Sequence, residues 1–85
     1  MKKFYAAFAL AVLAAPAFAE PSCAPTEAPK PVWEAIKSFE EAGGQVVAFK
    51  INDGGCYEIY GSVEDKNYEV FFDPATGAEI ERIED

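Results

Sequence analysis

Two hydrophobic periods follow one another along the chain. In "PVWEAIKSFEEAGG", Val32, Ala35, Ile36 and Phe39 recur at i, i+3, i+4 and i+7, with Glu34, Lys37, Ser38 and Glu41 between them. That spacing gathers the apolar side chains into one stripe and predicts an amphipathic α-helix. Pro31 suits its first position, where no amide hydrogen is needed, and Gly43-Gly44 supplies the left-handed residue that ends it. A helix of about eleven residues does not hold alone in water, so it must lie on an apolar surface. Trp33, beside the stripe, is expected to pack at its margin.

The surface follows directly. From Gln45 the period changes to two: Val47, Phe49 and Ile51 share one parity in "QVVAFKI", Tyr57, Ile59, Gly61 and Val63 in "CYEIYGSV", and Tyr68, Val70 and Phe72 in "YEVFF". Three strands with a common apolar face are predicted. "NDGG" (Asn52 to Gly55) and "EDKN" (Glu64 to Asn67) read as tight turns, which makes the strands an antiparallel meander. "NDGG" fails as a calcium loop, because Gly55 and Tyr57 fall where oxygen ligands are needed. The run "YEVFFDPATGAEI" ends a strand abruptly. Asp73 is placed to accept from backbone amides further along, Pro74 presets φ, and Gly77 takes a left-handed conformation, so the chain turns into a short fourth strand, "AEIERI". Its apolar residues are Ile80 and Ile83, and Glu79, Glu81, Arg82 and Glu84 give it the charge of a protected edge. The expected fold is therefore α+β: one N-terminal helix on a three- to four-stranded antiparallel meander sheet.

The N-terminal third obeys neither period. Lys2 and Lys3, the apolar run "FYAAFALAVLAA", Pro16 and the small-x-small triplet Ala17-Phe18-Ala19 have the form of an export signal over residues 1–19, with cleavage expected before Glu20. The apolar run is too short and too interrupted for a stable membrane anchor. Residues 20–31, "EPSCAPTEAPKP", carry four prolines and read as an extended arm, leaving 32–85 as the folded domain. Cys23 and Cys56 lie 33 positions apart in an exported chain and are expected to form one disulfide that pins the arm. C-x-x-C spacing is absent, which argues against a redox pair.

Charge narrows the functional classes. The chain holds 15 acidic and 7 basic residues, net −8; losing Lys2 and Lys3 leaves 5 basic residues and net −10. Such a balance repels nucleic acid and anionic lipid. There is no histidine, so the usual neutral-pH base and zinc ligand are missing. No catalytic set, metal-ligand set or cofactor motif is read from the sequence, and no enzyme activity is expected.

The order of helix, Gly-Gly, "VVAFKI", "YEIYG" and "YEVFFDPATGAEI" is similar to the PepSY domain family, from about Val32 to Ile83. The resemblance implies a helix packed on an antiparallel sheet and brings no catalytic residues. It also implies a neighbourhood. Such domains occur in propeptides of secreted thermolysin-like metallopeptidases and as short exported proteins, with restraint of peptidase activity as the suggested theme. The expected function is accordingly a non-enzymatic periplasmic or secreted binding module that inhibits or regulates a peptidase or engages another envelope protein. On the strand parity turned away from the helix, Val46, Ala48, Tyr60 and Phe71 form a candidate partner surface. The competing reading is that the arm, bridged through Cys23, folds over that patch. A different class of function, an acidic envelope protein binding cations weakly or serving a structural role, would use Glu79, Glu81, Glu84 and Asp85.

Overall fold

The computed structural model describes residues 20–85; the expected export signal lies outside them. Helix α1 (Val32–Glu41) precedes strands β1 (Gln45–Ile51), β2 (Tyr57–Val63), β3 (Lys66–Phe72) and β4 (Glu79–Glu84). The strands lie in the order β1-β2-β3-β4 with every neighbouring pair antiparallel, an α+β meander with the helix on one face.

The apolar stripe of α1 is its buried side. Ala35 and Phe39 are buried, and Val32 and Ile36 pack half-buried beside them, against Tyr57, Ile59, Val70 and Phe72 of the sheet. Pro31 is the residue before the helix rather than its first residue, in an extended conformation, and its carbonyl accepts from the Glu34 amide at 3.0 Å. At the other end the Gly44 amide donates to Phe39 O and the Gly43 amide to Glu40 O, both at 3.0 Å, with Gly43 at φ 93°. This paired bonding across a left-handed residue satisfies carbonyls the helix would leave open. Phe39 then sits where no side chain could: a Cβ on Gly61 would lie 2.7 Å from its ring and 2.4 Å from the Gln45 carbonyl. Gly61 is thus the floor on which the helix docks. Trp33 is exposed at the margin, with the Lys37 ammonium 5.7 Å from its ring centre.

Two details of the strand reading are corrected. A bulge between Val46 and Ala48 inserts Val47 as an extra residue, placing Val46 opposite Gly61 and Phe49 opposite Ile59. Inserting one residue flips the parity that precedes it. Val46, expected on the outer face, therefore packs against the helix-side core, whereas Val47, expected inside, is 69% exposed. The second correction concerns the β2–β3 connection. It consists of Glu64 and Asp65 alone, both at positive φ (51° and 70°), and β3 begins at Lys66. The right-handed twist of a hairpin favours this two-residue geometry even when no glycine is present to adopt it easily.

Beyond the core, β4 is built as expected for an edge. A bulge opposite Phe71 and Phe72 leaves Ile80 exposed, and Arg82 binds Glu79 through two hydrogen bonds, at 3.0 and 2.8 Å, while covering the Tyr68 ring at 5.4 Å.

Candidate functional site

The arm wraps the end of the sheet that carries the β1–β2 and β3–β4 turns, and side-chain chemistry at those turns holds it there. Asn52 is buried because it serves both: its Oδ1 accepts the Cys56 amide at 2.8 Å within the turn, while its Nδ2 donates to Pro21 O at 3.0 Å in the arm. The Cys23 amide donates to Gly54 O at 2.9 Å, and the Cys23–Cys56 disulfide, Cα atoms 5.1 Å apart, locks the contact. Further on, the Lys30 amide donates to Pro74 O at 2.7 Å and the Tyr57 hydroxyl to Lys30 O at 2.7 Å. Inside "DPATG", Asp73 Oδ1 accepts the Ala75 amide at 2.8 Å and Gly77 sits at φ 79°. Between its anchors the arm leaves a groove lined by Ala24, Pro25, Pro29, Ile51, Tyr57 and Pro74.

On the face turned away from α1, register brings Ala48, Tyr60 and Glu69 into one row and Lys50, Glu58, Phe71 and Glu81 into the next. Of the four residues expected to make a partner surface, Val46 is on the other side. Phe71 is on this face but completely buried, outside the helix-side core. Its cover is consistent with the arm: the Glu20 carboxylate comes within 4.8 Å of those of Glu58 and Glu69, which flank Phe71 on this face. Ala48 and Tyr60 are left accessible, lining a shallow recess with Phe49, Lys50 and Glu58. Val47 and Ile51 are also exposed along β1, an edge of the sheet; Ile51 lies opposite Tyr57, on the helix-side parity, and not on the face of Ala48 and Tyr60.

The same face concentrates negative charge. Glu58 is only 6% exposed; its Oε1 makes no hydrogen bond and has the Lys50 ammonium at 3.9 Å. Glu69 has its pKa raised to about 7, first by burial and then by hydrogen bonding and charge from Glu58 and Asp85. The Tyr60 phenol is pushed up as well, chiefly by the Asp85 carboxylate. Nothing in the local sequence announces this gathering, since its members come from the arm, β2, β3 and the C-terminus.

Of the four carboxylates that weak cation binding would use, Glu79, Glu81, Glu84 and Asp85, two are paired within the chain. Glu79 is bound by Arg82, and Glu84 lies 3.5 Å from the Lys66 ammonium. Among the described residues, the one grouping of three carboxylates close enough to share an ion is Glu20, Glu58 and Glu69.

No helix among the described residues is long and apolar enough to cross a membrane. A disulfide joining the arm to the sheet fits an extracytoplasmic protein, since thiols in reducing compartments stay unpaired. No curated protein and no solved structure matches the chain. A family profile does match, over residues 3–83, and through it the chain belongs to the PepSY family, described as peptidase propeptide and YPEB domain.

Proposed function

We propose that this chain is a non-catalytic periplasmic binding module that restrains a peptidase by offering it the β1 edge. PepSY domains are in general propeptide-like or inhibitor-like modules rather than catalysts, which supports a reading in which the partner is a peptidase. The carrying observation is the contrast of exposed apolar side chains with edge position: Val47 is 69% and Ile51 60% exposed on a seven-residue strand at the border of the sheet. A strand of this kind accepts an extended segment of another protein, whose backbone adds to the ladder while its alternate side chains contact the edge and the adjoining recess at Ala48 and Tyr60. The strongly acidic surface favours a partner with a basic rim.

The test mixes the purified protein with a secreted thermolysin-like metallopeptidase and follows cleavage of a quenched fluorogenic peptide. Hydrolysis slows in proportion to added protein, and Val47→Lys, which places a charge on an exposed edge position, relieves the inhibition without lowering the melting temperature. Unchanged hydrolysis, with no complex on size-exclusion chromatography, defeats the reading for this peptidase class. Tyr60→Ser reports on the recess; Phe71, which is fully buried, is not a surface probe.

A further inference from the structure

We infer that the recess at Ala48 and Tyr60 receives an arginine side chain from an extended segment paired with β1, an inference that rests on β1 being the docking edge. β1 has an open side because it borders the sheet, and from Ala48 to Ile51 it pairs with β2 without a bulge. Over that stretch its side chains alternate. Phe49 and Ile51 lie opposite Ile59 and Tyr57 on the helix side, while Ala48 and Lys50 lie opposite Tyr60 and Glu58 on the outer side. A strand added to β1 continues that alternation, so one set of its side chains meets an apolar border and the other an acidic one.

The outer border selects a long cation. Ala48 is the smallest side chain of its row, and beside it opens a recess of about 270 Å³ lined by Ala48, Phe49, Lys50, Glu58 and Tyr60. Neighbouring strands lie about 4.8 Å apart, so an added strand stands about 10 Å from β2 and only a long side chain crosses Ala48 to reach Tyr60. Tyr60 is exposed; its neighbour on β3 is Glu69, Glu58 lies two positions away on β2, and the Asp85 carboxylate is near enough to raise the Tyr60 pKa. Against these three carboxylates stands one ammonium, Lys50, at 3.9 Å from Glu58 Oε1, which still lacks a hydrogen-bond donor. The negative charge at the recess is therefore only partly compensated within the chain.

Arginine matches this border better than lysine. Its flat guanidinium stacks on an aromatic ring and directs several N–H donors at carboxylates, whereas an ammonium is a compact, strongly hydrated point charge. On the helix side, Phe49 and Ile51 favour apolar residues at the alternate positions. The recognised class is an extended segment in which apolar residues alternate with polar ones and an arginine stands opposite Ala48. An acidic residue at that place faces Glu58, Glu69 and Asp85 and is rejected.

Fluorescence anisotropy of labelled peptides tests the recess, measured above about pH 7, where Glu69 is ionised. In the probe, valine alternates with serine and arginine replaces the central serine; two further peptides carry lysine or glutamate there. The arginine peptide is expected to bind about tenfold or more tightly than the glutamate peptide, with lysine between them, and to weaken as salt is added. Ala48→Leu fills the recess and Tyr60→Ser removes the ring. Each lowers the affinity for the arginine peptide several-fold without lowering the melting temperature, since both positions are exposed. Arginine binding no tighter than lysine or glutamate, no binding at all, or an affinity indifferent to both substitutions overturns the assignment. The edge itself is judged separately. Peptidase inhibition relieved by Val47→Lys but indifferent to Ala48→Leu keeps β1 as the docking strand and removes the arginine; an arginine peptide bound through the recess, with no peptidase inhibited, removes the peptidase and keeps the recess.

Discussion

The two ends of the sheet solve the same problem with different means. At one end the β1–β2 turn, the β3–β4 turn and the arm converge, and every special backbone position has a residue suited to it: Asn52 bonds its own turn, Asp73 accepts from Ala75, and Gly55 and Gly77 take positive φ. The disulfide then fastens the third segment to the first. At the opposite end the β2–β3 turn places Glu64 and Asp65 at positive φ, without glycine or asparagine to ease it. The nearby closing contact, from the Asp85 amide to Asn67 O at 2.9 Å, comes from the last residue of the chain. One end is overdetermined by side-chain bonds and a covalent link; the other is held by strand pairing and by the helix docked over Gly61. A domain of about this size has little stability to spare, so the difference decides where it opens first.

Removing the covalent link should have the largest effect. The Cys23→Ser, Cys56→Ser double variant is expected to lose about 3 to 4 kcal/mol, from the loop of this length that the disulfide closes. Its arm should become sensitive to protease and Phe71 accessible, which limited proteolysis and a dye that binds apolar surface will report. An unaltered denaturation midpoint would show that Asn52 and the backbone bonds suffice without the disulfide.

At the other end the matching experiment is Gly61→Ala, expected to cost about 2 to 3 kcal/mol. The added methyl would stand 2.4 Å from the Gln45 carbonyl and 2.7 Å from the Phe39 ring, and the carbonyl belongs to a paired strand that cannot easily retreat. Helical circular dichroism is the discriminating signal, because displacing Phe39 undocks α1 while the arm remains tied. A loss smaller than about 0.5 kcal/mol would mean that the helix slides at little cost.

How far the sequence discloses this molecule follows the same division. The helix stripe, the three turns with Asn, Asp, Pro and Gly, and the pairing of Cys23 with Cys56 are local or compositional signals, and the structure has them. Val46 and Val47 exchange faces because a bulge is a choice of register between two strands, and neither residue carries a mark of it. The sequence places the β2–β3 turn over Glu64 to Asn67 because its residues resemble ordinary polar loop, whereas Lys66 and Asn67 belong to β3. Parity puts Phe71 on the outer face but does not decide between an exposed patch and one covered by the arm; the structure buries Phe71 there. The carboxylate cluster needs Glu20 to return over β2 and β3, a long-range consequence of the disulfide that no window of sequence contains.

Midway between the ends, Glu69 gives a smaller and pH-dependent effect. Its folded pKa, about 7, lies above its unfolded value, so between the two the folded protein holds more protons. Stability from this group is fully present below the unfolded pKa, declines as pH rises through the window between the two values, and is level above about 7. Solvent screening at a partly exposed carboxylate holds the loss to about 1 kcal/mol. Urea titrations at about pH 5 and about pH 7.5, without divalent cations, should show the wild type losing more stability than Glu69→Gln over that interval. Parallel behaviour of the two proteins would mean that burial and Glu58 do not shift this group.

The smallest expected change is a gain, and it sharpens the contrast most directly. Replacing Glu64 by Asn and Asp65 by Gly keeps the two-residue hairpin but supplies the pair that adopts positive φ at both positions with least strain. The left-handed conformation costs an ordinary residue roughly 1 kcal/mol, and part of the relief is offset by the greater freedom of glycine in the unfolded chain. The net expectation is a stabilisation of about 0.5 to 1 kcal/mol, seen as a higher urea midpoint at unchanged slope. The same exchange at the other end has nothing to relieve, since Asn52, Gly54 and Gly55 already meet its geometry. A variant no more stable than the wild type would show that strand pairing from Val63 to Lys66 already absorbs the strain, making the two ends equivalent in energy despite their different chemistry.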